Sequence, residues 1–389
     1  MKRVKIVFDF GQGIYLKRLI SVGENHSGLR HIHLLELRRL RLRSQCLFPR
    51  KQKGDLLKVI RLLVGVNAQL PSAMLLSLRA RVDGLTRDEI DDLRVAVRTW
   101  CMRGTMHLLA LPDTAWLLCT LPESLIVNGW RWLERRGGLP LEKATQMLDD
   151  ALETLKANGP MTRDELIQAL ALKYGSQAKT AAAGILHLNG LLGRVCFGPD
   201  RGTDPTYVAM SNWVNLPPVQ SGAADYSGLV RRYLQGYGPA SPQDFAAWWG
   251  CSLSEAKKAW VLLKDELVEV DFEGQPLWMG APPHDVTCNS DPEVRLLPAF
   301  DTYYSGYRAR EFAVPAEYQS FVFHGGEITP VILLDGWAVG TWHYEARGRQ
   351  IRLTARPFST FTPEICELIA EEAVDIGRFY HLNPALKFE

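Results

Sequence analysis

NGPMTRDELIQAL (residues 158–170) and YGPASPQDFAAWW (residues 237–249) are two copies of one pattern, roughly 80 residues apart in the chain. In each copy one segment ends at Gly-Pro, and a hydroxyl residue, Thr162 or Ser241, opens the next. Gly and Pro end helices, and Thr162 with Glu165 forms a capping box, which satisfies the first backbone N–H groups of a helix. The two junctions indicate an internal repeat on the scale of a domain.

The segments around the two junctions also correspond. Residues 141–157 and 178–192 predict helices on either side of the first junction helix, and RVCFGPDRGTDPTYVAM (194–210) predicts strand, loop and strand. The second copy repeats this order with SGLVRRYLQGYG (227–238), LSEAKKAWVLLKDEL (253–267) and a hairpin around Glu273-Gly274. Three helices followed by a β-hairpin is the order of a winged-helix domain; the alternative is a generic all-helical repeat.

A third unit of this kind precedes the other two. HLLELRRLRLRSQ (33–45) has leucines at helical spacing, and DLLKVIRLLVGVNAQL (55–70) predicts a buried helix that begins at Asp55. Pro71-Ser72 opens a helix that runs to Arg79. A capping box from Thr86 to Glu89 begins a short helix, and VRTWCMRGTMHLL (97–109) predicts two strands divided by a glycine.

The last quarter of the chain has a strand pattern. VRLLPAFDTYY (294–304) and the residues around the Asp335-Gly336 turn predict strands, and TPEICELIAEEAVDIGRFY (362–380) predicts a closing amphipathic helix. We therefore predict an α+β, mainly helical fold, with three tandem winged-helix domains plus a C-terminal strand-rich region with a closing helix. The predicted boundaries are a poorly structured leader at 1–31, winged helices at 32–140, 141–220 and 221–290, and the C-terminal region at 291–389.

The composition excludes several classes of protein. With 389 residues, 47% hydrophobic and 23% charged, the chain is globular and long enough for two to four domains. No run approaches the ~18 apolar residues of a membrane helix, and the basic start lacks a cleavage site, so we expect a cytoplasmic, nucleoid-associated protein. The seven cysteines form no C-x-x-C pair, and no H-E-x-x-H helix or cofactor motif is present, so we expect neither a metal site nor a cofactor.

A local concentration of basic residues is the first indication of a nucleic-acid partner. The net charge is only +2, but seven cations fall within 16 positions: Arg38, Arg39, Arg41, Arg43, Arg50, Lys51 and Lys53, here called the basic run. Such a stripe is typical of phosphate binding, and the alternative is a solvated helix face. The third helices of the repeated units offer few base-reading side chains, with Lys179 and Asn189 as the candidates in the second unit. The pattern therefore favours DNA binding through shape and phosphate.

Five stretches carry a resemblance to a known family. They are RLRSQCL (41–47), VGVNAQLPSAMLLSLRARVDGLTRDEI (64–90), VRTWCMRGTMHLL (97–109), LLPAFDTYYSGYRAR (296–310) and ILLDGWAVGTWHYEARG (332–348). Over about residues 32–380 the chain resembles the AlkZ/YcaQ winged-helix DNA glycosylase family. The resemblance implies a metal-independent enzyme that excises N7-alkylated purines, including bases in interstrand crosslinks, from DNA held in a concave cradle of three winged helices.

The resemblance also implies which residues are catalytic. The family motif is Gln-x-Gln or Gln-x-Asp at the end of a helix, and it corresponds here to Asn67-Ala68-Gln69. Gln69 matches the motif, whereas Asn67 is one methylene shorter than the family residue. Side chains at i and i+2 point apart on a helix, so these two can converge only if the helix ends there, as Pro71 implies. The alternative is that the two amides merely cap the helix end.

Further candidates for DNA contact come from alternation and from turns. Thr105 and His107 share one face of a predicted strand, where they line the cleft or, for the histidine, serve the structure. Asp301 is an exposed turn acid or a support of the cleft. The remaining candidates are tyrosines that are otherwise core residues and arginines at turns or a hairpin tip: Tyr303, Tyr307, Arg308, Arg347 and Arg349.

Two hypotheses follow for function. The first is a monomeric, monofunctional DNA glycosylase that acts on alkylated bases in double-stranded DNA, including interstrand crosslinks, with Gln69 positioning the hydrolytic water with help from Asn67. The second is a non-catalytic winged-helix DNA-binding protein or transcriptional regulator. The departure at Asn67 favours the second hypothesis, and the poor recognition helices disfavour it.

Overall fold

The structure is a computed structural model that describes residues 29–91, 95–216, 226–280 and 291–389. The elements up to residue 135 are β1 (Arg30–Ile32), α1 (Leu34–Ser44), α2 (Leu56–Leu62), β2 (Val66–Asn67), α3 (Pro71–Arg79), α4 (Arg87–Asp91), β3 (Ala96–Trp100), β4 (Met106–Ala110), α5 (Leu111–Cys119) and α6 (Glu123–Arg135). The next are α7 (Leu141–Asn158), β5 (Met161–Thr162), α8 (Arg163–Tyr174), α9 (Gln177–Leu191), β6 (Val195–Phe197), β7 (Thr206–Ala209) and α10 (Met210–Trp213). Residues 226–280 form α11 (Tyr226–Tyr237), α12 (Pro242–Trp249), α13 (Leu253–Leu262), β8 (Val268–Phe272) and β9 (Gln275–Met279).

The C-terminal region, residues 291–389, is built around a five-stranded sheet. Its elements are β10 (Val294–Leu297), α14 (Thr302–Ser305), α15 (Gln319–Val322), β11 (Phe323–His324), β12 (Glu327–Ile328), β13 (Val331–Leu334), β14 (Trp337–Arg347), β15 (Gln350–Pro357), α16 (Pro363–Tyr380) and β16 (Asn383–Phe388). The strand order is β10-β13-β14-β15-β16, antiparallel except for the last pair, and β11 and β12 form a separate small hairpin. The strands around the Asp335-Gly336 turn and the closing helix are confirmed, whereas the strand predicted for residues 294–304 ends at Leu297 and is followed by α14.

The predicted repeat is present as three units with one order of elements. The first unit is α2 to β4, the second α7 to β7 and the third α11 to β9. In each, an extended residue or short strand after the first helix pairs with the last strand of the hairpin: β2 with β4, β5 with β7, and Ala240 with Trp278 of β9. The hairpins in all three units are confirmed, which excludes the all-helical alternative.

Local signals in the sequence account for many of the helix starts. The hydroxyl of Thr162 accepts a bond from Glu165 N at 3.3 Å, and the Glu165 carboxylate accepts one from Thr162 N at 2.7 Å. Ser241 and Asp244 form the same reciprocal pair at the start of α12, with distances of 3.1 and 3.0 Å. These bonds satisfy N–H groups that have no partner inside the helix, and they fix where each helix begins.

Several predicted boundaries are wrong, and each has a physical reason. The helix predicted for residues 55–70 ends at Leu62, because Val64 (φ 60°) and Gly65 (φ 134°) have positive φ angles that a right-handed helix does not accommodate. Residues 30 and 31, assigned to the leader, belong to β1, which pairs in parallel with β8. The remaining leader, residues 1–28, lies outside the described residues. Helices α5 and α6 and strand β16 were not predicted.

The C-terminal region is held to the first unit by buried ion pairs at the C-terminal end of α3. Arg81, just after α3, makes two bonds of 2.8 Å with the Asp301 carboxylate, and both side chains are fully buried. Arg79 pairs with Glu372 on α16 at 2.9 Å. Removing one partner of such a pair would strand a charge in the interior, so these contacts fix α3 and the segment before it against the C-terminal region. In the described part of the chain, no helix is long and apolar enough to cross a membrane.

Candidate active site

Asn67 and Gln69 lie in the extended segment between α2 and α3, rather than at the end of a helix. Asn67 pairs with β4, and Ala68 N donates a hydrogen bond of 2.8 Å to Met106 O. Strand β2 ends at Asn67, and the two side chains meet in the short bend that follows it, so the prediction that a helix end brings them together is corrected.

The two side chains hydrogen-bond to each other. Gln69 N donates to Asn67 Oδ1 at 3.1 Å, and Asn67 Nδ2 donates to Gln69 Oε1 at 2.9 Å. A backbone N–H can only donate, so the first bond fixes which end of the Asn67 amide is the oxygen, and the second then fixes the Gln69 amide. The residue before α3 is Leu70, and no side chain caps that helix, so the alternative role of helix cap is not observed. One lone pair of Gln69 Oε1 and its NH₂ group remain available to a ligand.

Thr105 and His107 lie next to this pair on the neighbouring strand. His107 is the direct cross-strand partner of Asn67, and its Nδ1 donates to Thr105 O at 3.0 Å. Burial lowers the pKa of His107 to about 3, and the charge of Arg103 acts in the same direction. The ring is therefore neutral at pH 7. Thr105 lines a cavity beside this pair, as predicted for a cleft residue. His107 is 2% exposed, which favours the structural role over a contact in the cleft.

Gln69 opens onto a cavity of about 490 Å³ between the first unit and the C-terminal region. The first unit contributes Asn67, Gln69, Arg103 and Thr105 to its walls. The opposite side comes from the chain between Phe300 and Arg310 and from the β11–β12 hairpin, while α12 adds Ala247. The cavity thus combines the candidate amides with segments that are distant in sequence.

Three arginines line the cavity: Arg103, Arg308 and Arg310. Arg308 is exposed, and the other two are partly buried. Burial lowers the pKa of the Arg103 guanidinium, and the charge of Arg310 lowers it further. Burial also lowers the pKa of Arg310. This wall of the cavity is therefore positively charged, and the charges of Arg103 and Arg310 are close enough to interact.

Asp301 supports the cavity and is not an exposed turn acid. Its carboxylate, 1% exposed, accepts bonds from Arg81 and from Ser77 Oγ, the latter at 2.8 Å. The preceding Phe300 lines the cavity with φ 56°, an uncommon conformation for a residue with a side chain. The buried carboxylate thus anchors the segment that carries the cavity wall, and the prediction of a DNA contact for Asp301 is corrected to a supporting role.

The two candidate tyrosines are core residues. Tyr303 is fully buried and donates its hydroxyl to Gly336 O at 3.0 Å. Tyr307 is 2% exposed, borders the cavity, and donates to Tyr237 O at 2.8 Å. Burial raises the pKa of Tyr307 to about 12. Because these hydroxyls are used inside the protein, the expectation that they contact DNA is not retained.

No member of the basic run lines the cavity, and its first residues pack against other parts of the protein. Arg38 Nε donates to Phe312 O at 2.5 Å, and its guanidinium lies 3.8 Å from the centre of the Trp337 ring. Arg41 is 4% exposed and bonds to Pro239 O. The expectation that Arg41 binds DNA is therefore corrected, because its buried guanidinium is bonded to the protein, whereas a DNA contact of the partly buried Arg38 stays a prediction.

The other members of the basic run have mixed environments. Arg50 bonds to Glu372 and, at 2.9 Å, to Asp375. Arg39 and Arg43 are partly buried near Glu293, where their charges oppose the rise in pKa that burial gives its carboxyl group. The remaining two lysines are exposed: Lys53 pairs with Glu89 at 2.8 Å, and Lys51 lies two residues earlier in the chain.

The arginines of the predicted hairpin tip are exposed at the end of β14. The side chain of Arg347 is 88% exposed and lies 3.5 Å from Glu345, and Arg349 occupies the turn before β15. Neither residue borders the cavity. Their contact with DNA stays a prediction.

Among the cavity residues without a predicted role are two arginines, Arg103 and Arg310. Arg103 lies in the turn between the predicted strands, and Arg310 ends the stretch YYSGYRAR, so both were quoted without being assigned a role. A signal was available, since neither arginine has an acidic residue at helical or cross-strand spacing on its own element. Throughout the described ranges, no group of three or more His, Cys, Asp or Glu side chains could hold a metal ion.

The fold and the cavity place the chain in a class of DNA repair proteins: it belongs to the AlkZ-like DNA glycosylase family, whose model matches residues 60–379. It is 28% identical over 363 residues to the interstrand DNA cross-link repair glycosylase of Streptomyces sahachiroi, which covers 87% of this chain and 94% of that protein. The solved structure of the Streptomyces sahachiroi DNA glycosylase AlkZ matches with a TM-score of 0.74 and 25% identity, over 92% of this chain and 100% of that one. The resemblance seen in the sequence motifs is confirmed, and the mixed helix and strand fold is AlkZ-like.

Proposed function

We propose that the protein is a DNA glycosylase that hydrolyses the N-glycosidic bond of N7-alkylated purines in double-stranded DNA, including bases joined in interstrand crosslinks. The three repeated units would be winged helices that together hold the duplex. The observation that carries the proposal is the pair of oriented amides, Asn67 and Gln69, at the mouth of a cavity in a chain of this family.

The substrate class follows from the chemistry that such amides can support. An amide is neither a strong base nor an acid, and His107 beside it is neutral at pH 7, because burial lowers its pKa to about 3. Alkylation at N7 makes the purine cationic, so its bond to the sugar breaks without protonation of the base. The electron pair of that bond goes to the purine and neutralises it. Water adds to C1′ of the resulting oxocarbenium-like sugar and releases a proton to solvent.

Gln69 would hold that water, and Asn67 would hold Gln69. The free lone pair of Gln69 Oε1 can accept a hydrogen bond from the water, which aims the water oxygen at C1′ and places negative potential beside the developing positive charge. Asn67 acts as a positioning residue, because both ends of its amide are occupied by Gln69. Asn67 is one methylene shorter than the family glutamine, and this length suits the role because Asn67 Oδ1 accepts a hydrogen bond from the backbone N–H of Gln69, two residues later.

The proposal predicts that Gln69→Ala lowers the single-turnover rate of 7-methylguanine release from methylated duplex DNA by roughly 100-fold or more. Affinity for a duplex with a tetrahydrofuran abasic analogue should change less than about threefold, because the water, rather than the DNA, loses its partner. Asn67→Ala should lie between wild type and Gln69→Ala. Gln146→Ala, an exposed glutamine on α7, is the matched control.

The outcomes separate the parts of the proposal. Undiminished release by Gln69→Ala would remove this residue from the active site. A wild-type protein that binds duplex DNA yet releases no base from methylated DNA and unhooks no crosslinked duplex would contradict glycosylase activity itself.

A further inference from the structure

The cations of the cavity wall form a cluster of their own, which we call the arginine trio: Arg103, Arg308 and Arg310. All three side chains line the same cavity as Gln69. They come from two parts of the chain, the β3–β4 turn and the segment after α14, so they meet only in the folded protein. The cluster is therefore a product of the fold at this cavity.

No guanidinium of the arginine trio forms an ion pair with a described residue; the neighbouring acid, Glu311, accepts a bond of 2.8 Å from the backbone N–H of Arg310 and its charge raises the pKa of that arginine. No carboxylate in the described part of the chain lies within 4.0 Å of any of the trio's guanidinium groups, although most other buried arginines have one. Arg103 donates to a carbonyl, Trp248 O, and Arg310 Nε is buried without a hydrogen-bond partner. Glu327, on the hairpin wall, has its carboxylate near His324 at 3.7 Å. A guanidinium has five N–H donors, so one bond to a carbonyl leaves donors that a ligand can satisfy.

The protein holds these side chains in place at their base. Arg103 has φ 56° in a tight turn, where Gly104 has φ 71° and accepts a bond from His187 Nε2 at 2.9 Å. The Arg310 guanidinium lies 4.5 Å from the centre of the Phe323 ring. Arg308 N donates to Asp244 Oδ1 at 2.9 Å, which anchors its backbone, and the Arg308 side chain is exposed. The charges of Arg103 and Arg310 repel each other, since the charge of Arg310 lowers the pKa of Arg103, and an anion beside them removes that repulsion.

We propose that the arginine trio is a binding subsite for a DNA phosphodiester next to the nucleotide whose base is removed. The proposal rests on the proposed function for the identity of the ligand as DNA. An N7-alkylated purine is itself a cation and would be repelled by three guanidinium groups, so the anion must be a backbone phosphate. Arginine forks match phosphate oxygens in geometry and charge. Holding that phosphate would place the sugar C1′ of the adjoining nucleotide within reach of Gln69.

The test is a thermodynamic cycle between one arginine and single phosphates. Binding is measured by fluorescence anisotropy on duplexes with one tetrahydrofuran abasic analogue, in which each phosphate within two nucleotides of the analogue is replaced in turn by an uncharged methylphosphonate. The proteins are wild type, Arg310→Ala, Arg308→Ala and Arg310→Lys. Arg356→Ala is the matched control, because that exposed arginine pairs with Glu389 at 2.9 Å.

For at least one phosphate, we expect neutralisation to weaken wild-type binding roughly tenfold and to have almost no effect on Arg310→Ala. Arg310→Ala and Arg308→Ala should each reduce the slope of log affinity against log salt by about 1, and Arg310→Lys should restore the slope but not the full affinity. Unchanged thermal unfolding of the variants shows that they are folded.

An equal penalty in wild type and in both alanine variants at every phosphate scanned would overturn the subsite. Because the cycle measures binding to an abasic analogue, it does not depend on base release. Coupling without base release would therefore leave the subsite standing and contradict the glycosylase, whereas release without coupling would do the reverse.

Discussion

The basic run and the arginine trio use the same side chain in opposite ways. In the basic run, Arg41 is stacked 3.8 Å from the Tyr307 ring and 4.2 Å from the Phe312 ring, with its donors on Pro239 O. In the trio, Arg310 has no carboxylate of the described residues within 4.0 Å of its guanidinium, whereas Arg50 of the basic run has Glu372 and Asp375. The first arrangement joins parts of the protein, and the second is the one for which we propose an anion as partner. What distinguishes them is the distribution of acceptors around each guanidinium.

This difference explains why the density of arginines along the chain is a poor guide to DNA contacts. The basic run was predicted to bind phosphate because its cations are close in sequence. The arginines of a helix can also pack against carbonyls, rings and carboxylates of other units. Arg50, with Glu372 and Asp375, is such a case. The trio is spread over more than 200 residues of sequence, and only the fold brings it together. The contrast can be tested by measuring, on the same variants, the free energy of unfolding and the salt dependence of DNA binding.

The largest effect is expected for Arg41→Ala. The substitution leaves Pro239 O without its two donors and removes a guanidinium stacked on two buried rings, so the free energy of unfolding should fall by about 3 kcal/mol. The salt dependence of DNA binding should stay as in wild type. Urea denaturation and salt-dependent anisotropy are the measurements. A change in the salt slope with unaltered stability would return Arg41 to the DNA interface.

The sequence predicted the repeated units well because their signals are local. Gly-Pro stops, capping boxes and alternating strands act over a few residues, and α3, α8 and the hairpins appear close to where they were expected. The failures are non-local or conformational. Strand β1 forms because it pairs with β8 in the third unit. Helix α2 ends early because Val64 adopts φ 60°, a conformation that cannot be predicted from a valine in the sequence.

The candidate site was predictable only in part. Family resemblance located Asn67 and Gln69, and strand alternation placed Thr105 beside them. Whether a polar side chain faces the cavity or the core depends on pairings across hundreds of residues. Tyr303 and Asp301 lie in a motif stretch yet are buried, while Arg310, a few residues later, lines the cavity.

An intermediate effect is expected from the titration of His107, which lies under the cavity. Its pKa is about 3 when folded, through burial and then the charge of Arg103, against an ordinary value of 6.5. Between those values the unfolded chain binds a proton that the folded protein does not, so stability falls as the pH falls. This residue should account for about 2 kcal/mol of lost stability between pH 7 and pH 5.

His107→Gln should remove that part of the acid sensitivity, as urea denaturation at both pH values would measure. His187 remains in both proteins, so its own lowered pKa, caused by burial, cancels from the difference. Identical pH dependence in the two proteins would mean that the ring is protonated in the fold despite the cations of the cavity.

The smallest effect is expected at the exposed end of the basic run. Lys53 pairs with Glu89 at 2.8 Å, with side chains 52% and 36% exposed, and such pairs contribute less than about 1 kcal/mol. Lys53→Ala should therefore leave urea unfolding almost unchanged, and the salt slope should move far less than in Arg310→Ala, because the lysine already has an anion beside it. A slope reduced by about 1 in Lys53→Ala would place this loop on the phosphate backbone and would show that paired surface cations exchange partners when DNA binds.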